Sequence, residues 1–185
     1  MTWFFVSLAA NFISGTAAVF DKLLITRKFR DPWVYAFWTG VAGLAAFFLF
    51  PFGSLSISFN LFLFALFAGA INFLALLFFY YAMAKGEASV SLPIVGAFAP
   101  VSTLIFANQF LEGGLGIGNF LGFVILIIGG FLFLFAEKRE TRVAVFLLAL
   151  ASAVLFGLSN VLIKMVFDES SFVTGLIWTR MGAAV

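Results

Sequence analysis

The sequence predicts an all-α integral membrane protein, a multi-helix bundle of inverted five-helix repeats. Three observations predict it: the composition, a series of apolar segments of bilayer-spanning length, and an internal repeat. Of 185 residues, 64% are hydrophobic, 10% are charged, and 29 are Phe. Soluble domains carry roughly 25% charged residues. A soluble core of this size has no room for so much apolar surface, so the expected solvent is lipid. The chain has no Cys and no His. That removes disulfides, a thiol nucleophile, and the commonest general base and metal ligand. A net charge of +2 gives no reason to expect nucleic acid.

The spans follow from helix rise. At about 1.5 Å per residue, about 20 residues cross the hydrocarbon core. Six segments reach that length: 3–26, 33–52, 59–84, 88–110, 117–136 and 143–167. The start lacks the basic stretch of a secretory signal and reads as a retained first span. Turn chemistry separates the spans: Arg27 to Pro32, Pro51 to Ser54, Lys85-Gly86-Glu87, Glu112-Gly113-Gly114, and Glu137 to Arg142. Pro and Gly stop helices, and charges stay at the interface. No segment of about ten residues alternates as a membrane strand does. A seventh segment starts near Phe172 and is too short at Val185 to span. The expectation is therefore a chain that continues, in a parent of ten spans.

The repeat sets the architecture. Gly15, Val19 and Lys22 return as Gly157, Val161 and Lys164, each 142 positions on, and Trp38-Thr39 returns as Trp178-Thr179, 140 positions on. Five spans separate the starts of the two copies, and an odd number of crossings inverts the second. The expected division is a first repeat over 1–137 and the start of a second over 138–185. Inverted repeats typify secondary transporters, whose substrate site lies between the halves. Arg27, Lys28, Arg30, Lys85, Lys138, Arg139 and Arg142 all fall in loops on one side, which should be cytoplasmic, placing the amino terminus outside.

Polar residues inside apolar spans are the candidates for function. Asn11, Gly15, Ala18 and Lys22 share one face of the first span, and Ala153, Gly157, Asn160 and Lys164 nearly repeat that stripe. Such a face suits a wet cavity, whereas lysines near helix ends also snorkel. Asp21 is read as interfacial or as paired with a neighbouring helix. Arg180 lies deeper, beside Trp178. A guanidinium there costs about 2.5–3.5 kcal/mol on insertion scales, which a substrate carboxylate or phosphate, or a protein carboxylate, would offset. Trp38 and Trp178 are read as cavity walls or interfacial anchors, and Tyr80 and Tyr81 as aromatic-belt anchors. Asn72 sits near mid-span, where its amide needs a neighbouring helix or a substrate. Pro93, Gly96 and Pro100 mark a hinge, a discontinuous helix or a static kink. Glu87 and Ser89 are expected to cap the fourth span. Ser102, Thr103, Asn108 and Gln109 are read as bonding between helices, and Gly118, Gly122 and Gly129 as a packing face. Glu112 is read as interfacial.

Several of these features, in order, resemble the EamA-type transporters of the drug/metabolite transporter superfamily. They are Asp21-Lys22, Lys85-Gly86-Glu87-Ala88-Ser89, Pro93, Pro100, Glu112, the Gly122 to Gly130 region, and Trp178 with Arg180. The pattern departs after Glu112, where Gly113-Gly114 replaces a frequent basic residue. The resemblance implies ten helices in two inverted repeats around a central cavity, in the plasma membrane (the inner membrane of a bacterium). It implies transport, efflux included, of small metabolites or drugs, amino acids and related compounds among them. No ATP-binding loop is present, so gradients or exchange would supply the energy. The alternatives are a flippase for lipid-linked substrates and a non-transporting membrane scaffold. With no His, no Cys and no paired carboxylate in a span, an enzyme is not expected. No cofactor and no metal are expected. The expected partners are a small-molecule substrate, the lipid bilayer and, in a homodimer, a second copy.

Overall fold

A computed structural model describes residues 2–29, 31–53, 56–111, 117–136 and 143–184. Among these, the chain is entirely helical in its regular structure: α1 (Thr2–Arg27), α2 (Pro32–Gly43), α3 (Phe59–Lys85), α4 (Ala88–Phe110), α5 (Ile117–Ala136), α6 (Val143–Glu169) and α7 (Phe172–Gly182), with a 3-10 segment, Leu44–Phe52, following α2. Five stretches are long and apolar enough to cross a bilayer: Phe4–Arg27, Pro32–Phe52, Phe59–Lys85, Ala88–Phe110 and Val143–Glu169. The 20 residues of α5 supply another helix of that length. Glu112 and the loop residues Arg30, Lys138, Arg139 and Arg142 lie outside the described residues.

The helix starts carry the chemistry that frees no backbone donor in lipid. Asp31, Ser58 and Ser171 cap α2, α3 and α7 by accepting from Trp33, Leu61 and Thr174 N–H. Glu87 stands at the start of α4, but its carboxylate makes no cap hydrogen bond. Ser89 donates to that carboxylate at 3.4 Å instead, which corrects the expected side-chain cap.

The second span departs from the expected single α-helix. It changes to 3-10 winding after Gly43 and keeps it for nine residues, although such runs seldom exceed three or four. Each 3-10 residue rises about 2.0 Å against about 1.5 Å in an α-helix. A span of only 21 residues therefore reaches about 36 Å, close to the roughly 40 Å of the 27-residue α3. The segment runs antiparallel to α7, with Gly43 beside Arg180 and Gly53 beside Val173.

α6 is the central element and packs on α3, α4 and α7. It runs antiparallel to α3: Val166 meets Leu61 and Ala65, and Ser152 meets Ala75. Small residues make these contacts close. Ala65, Ala68, Ala75, Ala82, Ala97, Ala149 and Ala153 are fully buried, as expected where helices associate by packing in lipid. The buried Ser152 hydroxyl donates to the Ala75 carbonyl at 2.9 Å across the α3–α6 contact. We expect S152A to lower stability by about 0.6 kcal/mol, typical of interhelical side-chain bonds in membrane proteins. S152L, which overpacks the same point, should cost more. Thermal unfolding in detergent measures both.

The outer helices are loosely held. α1 packs mainly on α3, and α5 on α4. Large apolar side chains such as Phe5, Phe12, Phe48 and Ile125 point outward, where lipid would cover them. A Cβ added at Gly122 or Gly129 would meet nothing within 4 Å among the described residues, while the surroundings of Gly118, the third member of the expected α5 packing face, lie outside them. α4 is one continuous helix through Pro93 and Pro100, not a discontinuous one, and Gly96 between them faces open space. Thr103 bonds its own helix at Ala99, and among the described residues Asn108 and Gln109 make no hydrogen bond to another helix.

Candidate functional site

A cleft of about 330 Å³ opens between α3, α6 and α7. Its polar lining is Asn72 of α3, Asn160 of α6, and Thr179 and Arg180 of α7. Its apolar lining is Ile163 and Phe167 of α6 with Phe172 and Leu176 of α7. The spacing explains how two helices present one surface. Asn160, Ile163 and Phe167 follow a three-four stride, and Phe172, Leu176 and Arg180 a stride of four, so each set shares a helical face. The polar groups gather toward mid-depth, and the aromatic ones gather near the α6–α7 turn.

Among the described residues, the side chains of Asn72, Asn160 and Arg180 have no hydrogen-bond or ion-pair partner. The Thr179 hydroxyl is occupied, donating to the Gly175 and Leu176 carbonyls of its own helix at 2.8 and 3.1 Å. The Arg180 stem lies against Gly43, its Cδ 3.5 Å from where a Cβ would stand. A cation and two amides therefore face one space from three helices.

The other candidates lie elsewhere. Lys22 donates to the carbonyls of Met83 and Gly86, at 2.5 and 2.6 Å, and so closes the end of α3. Lys164 pairs with Asp168 one turn on, at an exposed position. Asn11 donates to Ser7 within α1 and lines a shallow groove with Phe12, Gly15 and Thr16 on the outward face of that helix. Trp38 is about half exposed and rests edge-on against Phe37. Trp178 packs between α3 and the 3-10 segment, edge-on to Phe62 at 4.9 Å and Phe47 at 6.4 Å, with its buried indole N–H unpaired among the described residues.

A second polar cluster forms around Asp21, of which the sequence reading had only a possible pairing with a neighbouring helix. The Tyr35 hydroxyl donates to the Asp21 carboxylate at 2.5 Å, which makes Asp21 a partner of α2 and not simply an interfacial charge. Tyr35 also meets Tyr80 edge-on at 4.8 Å, and Thr39 is the hydrogen-bonding neighbour of Tyr80. Tyr80 is 2% exposed, buried in the core and not a belt anchor. The apolar lining was also missed, although counting three, four and eight residues from Asn160 and Arg180 finds most of it.

The profile of the EamA-like transporter family matches residues 1–135. Comparisons with curated proteins and with solved structures give no match. The family match covers most of the chain and agrees with its all-helical, multi-pass build. The chain belongs to the EamA-like transporter family, membrane transporters of the drug/metabolite type.

Proposed function

We propose that the protein carries small organic solutes across the membrane by alternating access, with the α3–α6–α7 cleft as part of the solute path. The observation that carries this reading is the convergence of Asn72, Asn160 and Arg180, without protein partners among the described residues, on one cleft. Unpaired polar groups at membrane depth are costly, and a polar solute would satisfy them. Energy comes from a gradient or from exchange.

Helix direction supports the inverted-repeat reading. The end of α1 meets the end of α3 through Lys22, whereas α6 runs antiparallel to α3. On this reading the two copies of the repeated segment, in α1 and α6, point in opposite directions. In this scheme the halves rock about a shared site, as inverted-repeat transporters do.

The test is solute flux. Full-length protein in sealed liposomes should take up at least one member of a panel of amino acids, organic acids, amines and drug-like solutes faster than protein-free liposomes. Folded, correctly inserted protein that moves none of them sinks the reading.

A further inference from the structure

We propose that the α3–α6–α7 cleft selects organic anions with an apolar body, the anionic oxygens bonding Arg180 and the body lying against Phe167 and Phe172. This deepens the transport reading above and rests on it for its biological meaning, but its chemistry is tested separately.

The charge argument comes first. Arg180 brings a fixed positive charge with five N–H donors and no acceptor. No carboxylate lines the cleft among the described residues. Asn72 and Asn160 each add an amide that can donate to a second anionic oxygen. The Thr179 hydroxyl proton is already committed to its own helix. An ammonium ion would find amide oxygens but no countercharge, and would face the guanidinium.

The apolar end comes second. The rings of Phe167 and Phe172 lie 5.2 Å apart and line the cleft by the α6–α7 turn, with Leu176 between them and the polar end. A volume of about 330 Å³ corresponds to about ten water volumes, so the occupant has on the order of ten non-hydrogen atoms. Gly43 is a positioning residue. The Arg180 stem passes 3.5 Å from its would-be Cβ, so a larger residue there displaces the guanidinium without entering the apolar end.

Equilibrium binding in neutral-lipid nanodiscs tests the proposal, with four related aromatic probes: 3-phenylpropionate, its amide, phenethylamine and phenyl phosphate. The acid and the phosphate should bind at least tenfold tighter than the amide or the amine. R180Q should remove that preference and leave amide binding unchanged, R180K should keep part of it, and G43L should weaken the acid alone. Added phosphatidylglycerol distinguishes two sources of the same chemistry. Competition with the acid assigns the natural anion to a lipid headgroup, and no competition assigns it to a dissolved solute. Equal affinity for acid and amide overturns the proposal, as does a folded R180Q that keeps the preference. The probe series on the unaltered protein decides the matter even where R180Q does not fold. Acid-selective binding without flux would sink transport and leave this inference standing, whereas flux of amides and acids alike would do the reverse.

Discussion

Gly69→Leu is expected to unfold the α3–α7 contact, and even Gly69→Ala should lower stability by about 1–3 kcal/mol. A Cβ at Gly69 would stand 2.1 Å from the Thr179 carbonyl oxygen and 2.8 Å from both the Ala183 nitrogen and the Gly182 carbonyl carbon. These are backbone atoms and have no rotamer by which to move away. The contact is matched from the other side, where a Cβ at Gly182 would stand 2.3 Å from the Leu66 oxygen. The two helices cross backbone to backbone, and any side chain there forces them apart. Because Asn72 and Arg180 ride on these helices, G69A should also weaken solute binding. Gly15→Ala and Gly96→Ala are the controls. Neither position has a described neighbour within 4 Å of an added Cβ, so both should stay within about 0.5 kcal/mol of the parent. Thermal unfolding in detergent separates the cases, and a G69A protein that melts with the parent would refute the crossing.

Lys22→Met should produce the second large effect. The Lys22 ammonium donates to two carbonyls at the end of α3, those of Met83 and Gly86. A helix end leaves its last carbonyls without intrahelical partners, and a cation there also meets the negative end of the helix dipole. Hydrogen bonds from charged groups contribute about 1.5–3 kcal/mol. Lys22 lies near the interface, where water reaches the freed carbonyls, so a loss of about 2 kcal/mol is expected. The loss should be local. Only Ala18 and Ile25 of α1 are buried among its described residues, and beside Lys22 the polar tie from α1 to the bundle is the Asp21–Tyr35 hydrogen bond. Hydrogen exchange should rise along α1 in K22M and much less in K22R, while α3 and α6 stay protected. Unchanged exchange in α1 would show that Lys22 does not tether it.

The helices were legible because apolar run length and turn chemistry are local. The fourth span was expected at 88–110 and is found at Ala88–Phe110, and the third at 59–84 against Phe59–Lys85. The 3-10 segment was not legible. Within an unbroken run such as Leu44-Ala45-Ala46-Phe47-Phe48, bonding three residues back or four leaves the same hydrophobic pattern. Polarity inside apolar spans singled out Asn72, Asn160 and Arg180, which do line one cleft. The same signal singled out Lys22, whose partners lie 61 and 64 residues away, and Lys164, which pairs on its own helix. A helical face can be read from spacing, but what stands opposite it depends on the packing of distant segments. Of the readings of Pro93, Gly96 and Pro100, the continuity of α4 excludes a discontinuous helix. Proline removes one backbone bond, yet α4 continues through both prolines, held on one side by α6.

The stretched winding of Leu44–Phe52 gives the second span a reserve of length. Tightening the seven residues before Pro51, which has no N–H to donate, to α-helical pitch would exchange third-neighbour bonds for fourth-neighbour ones, with few donors left exposed to lipid. It would also draw the ends together by about 3.5 Å. Gly43, the floor on which the Arg180 stem rests, sits at the junction and would slide along α7 with it. A coil transition of this kind turns axial shortening into a change of grip on whatever the guanidinium holds.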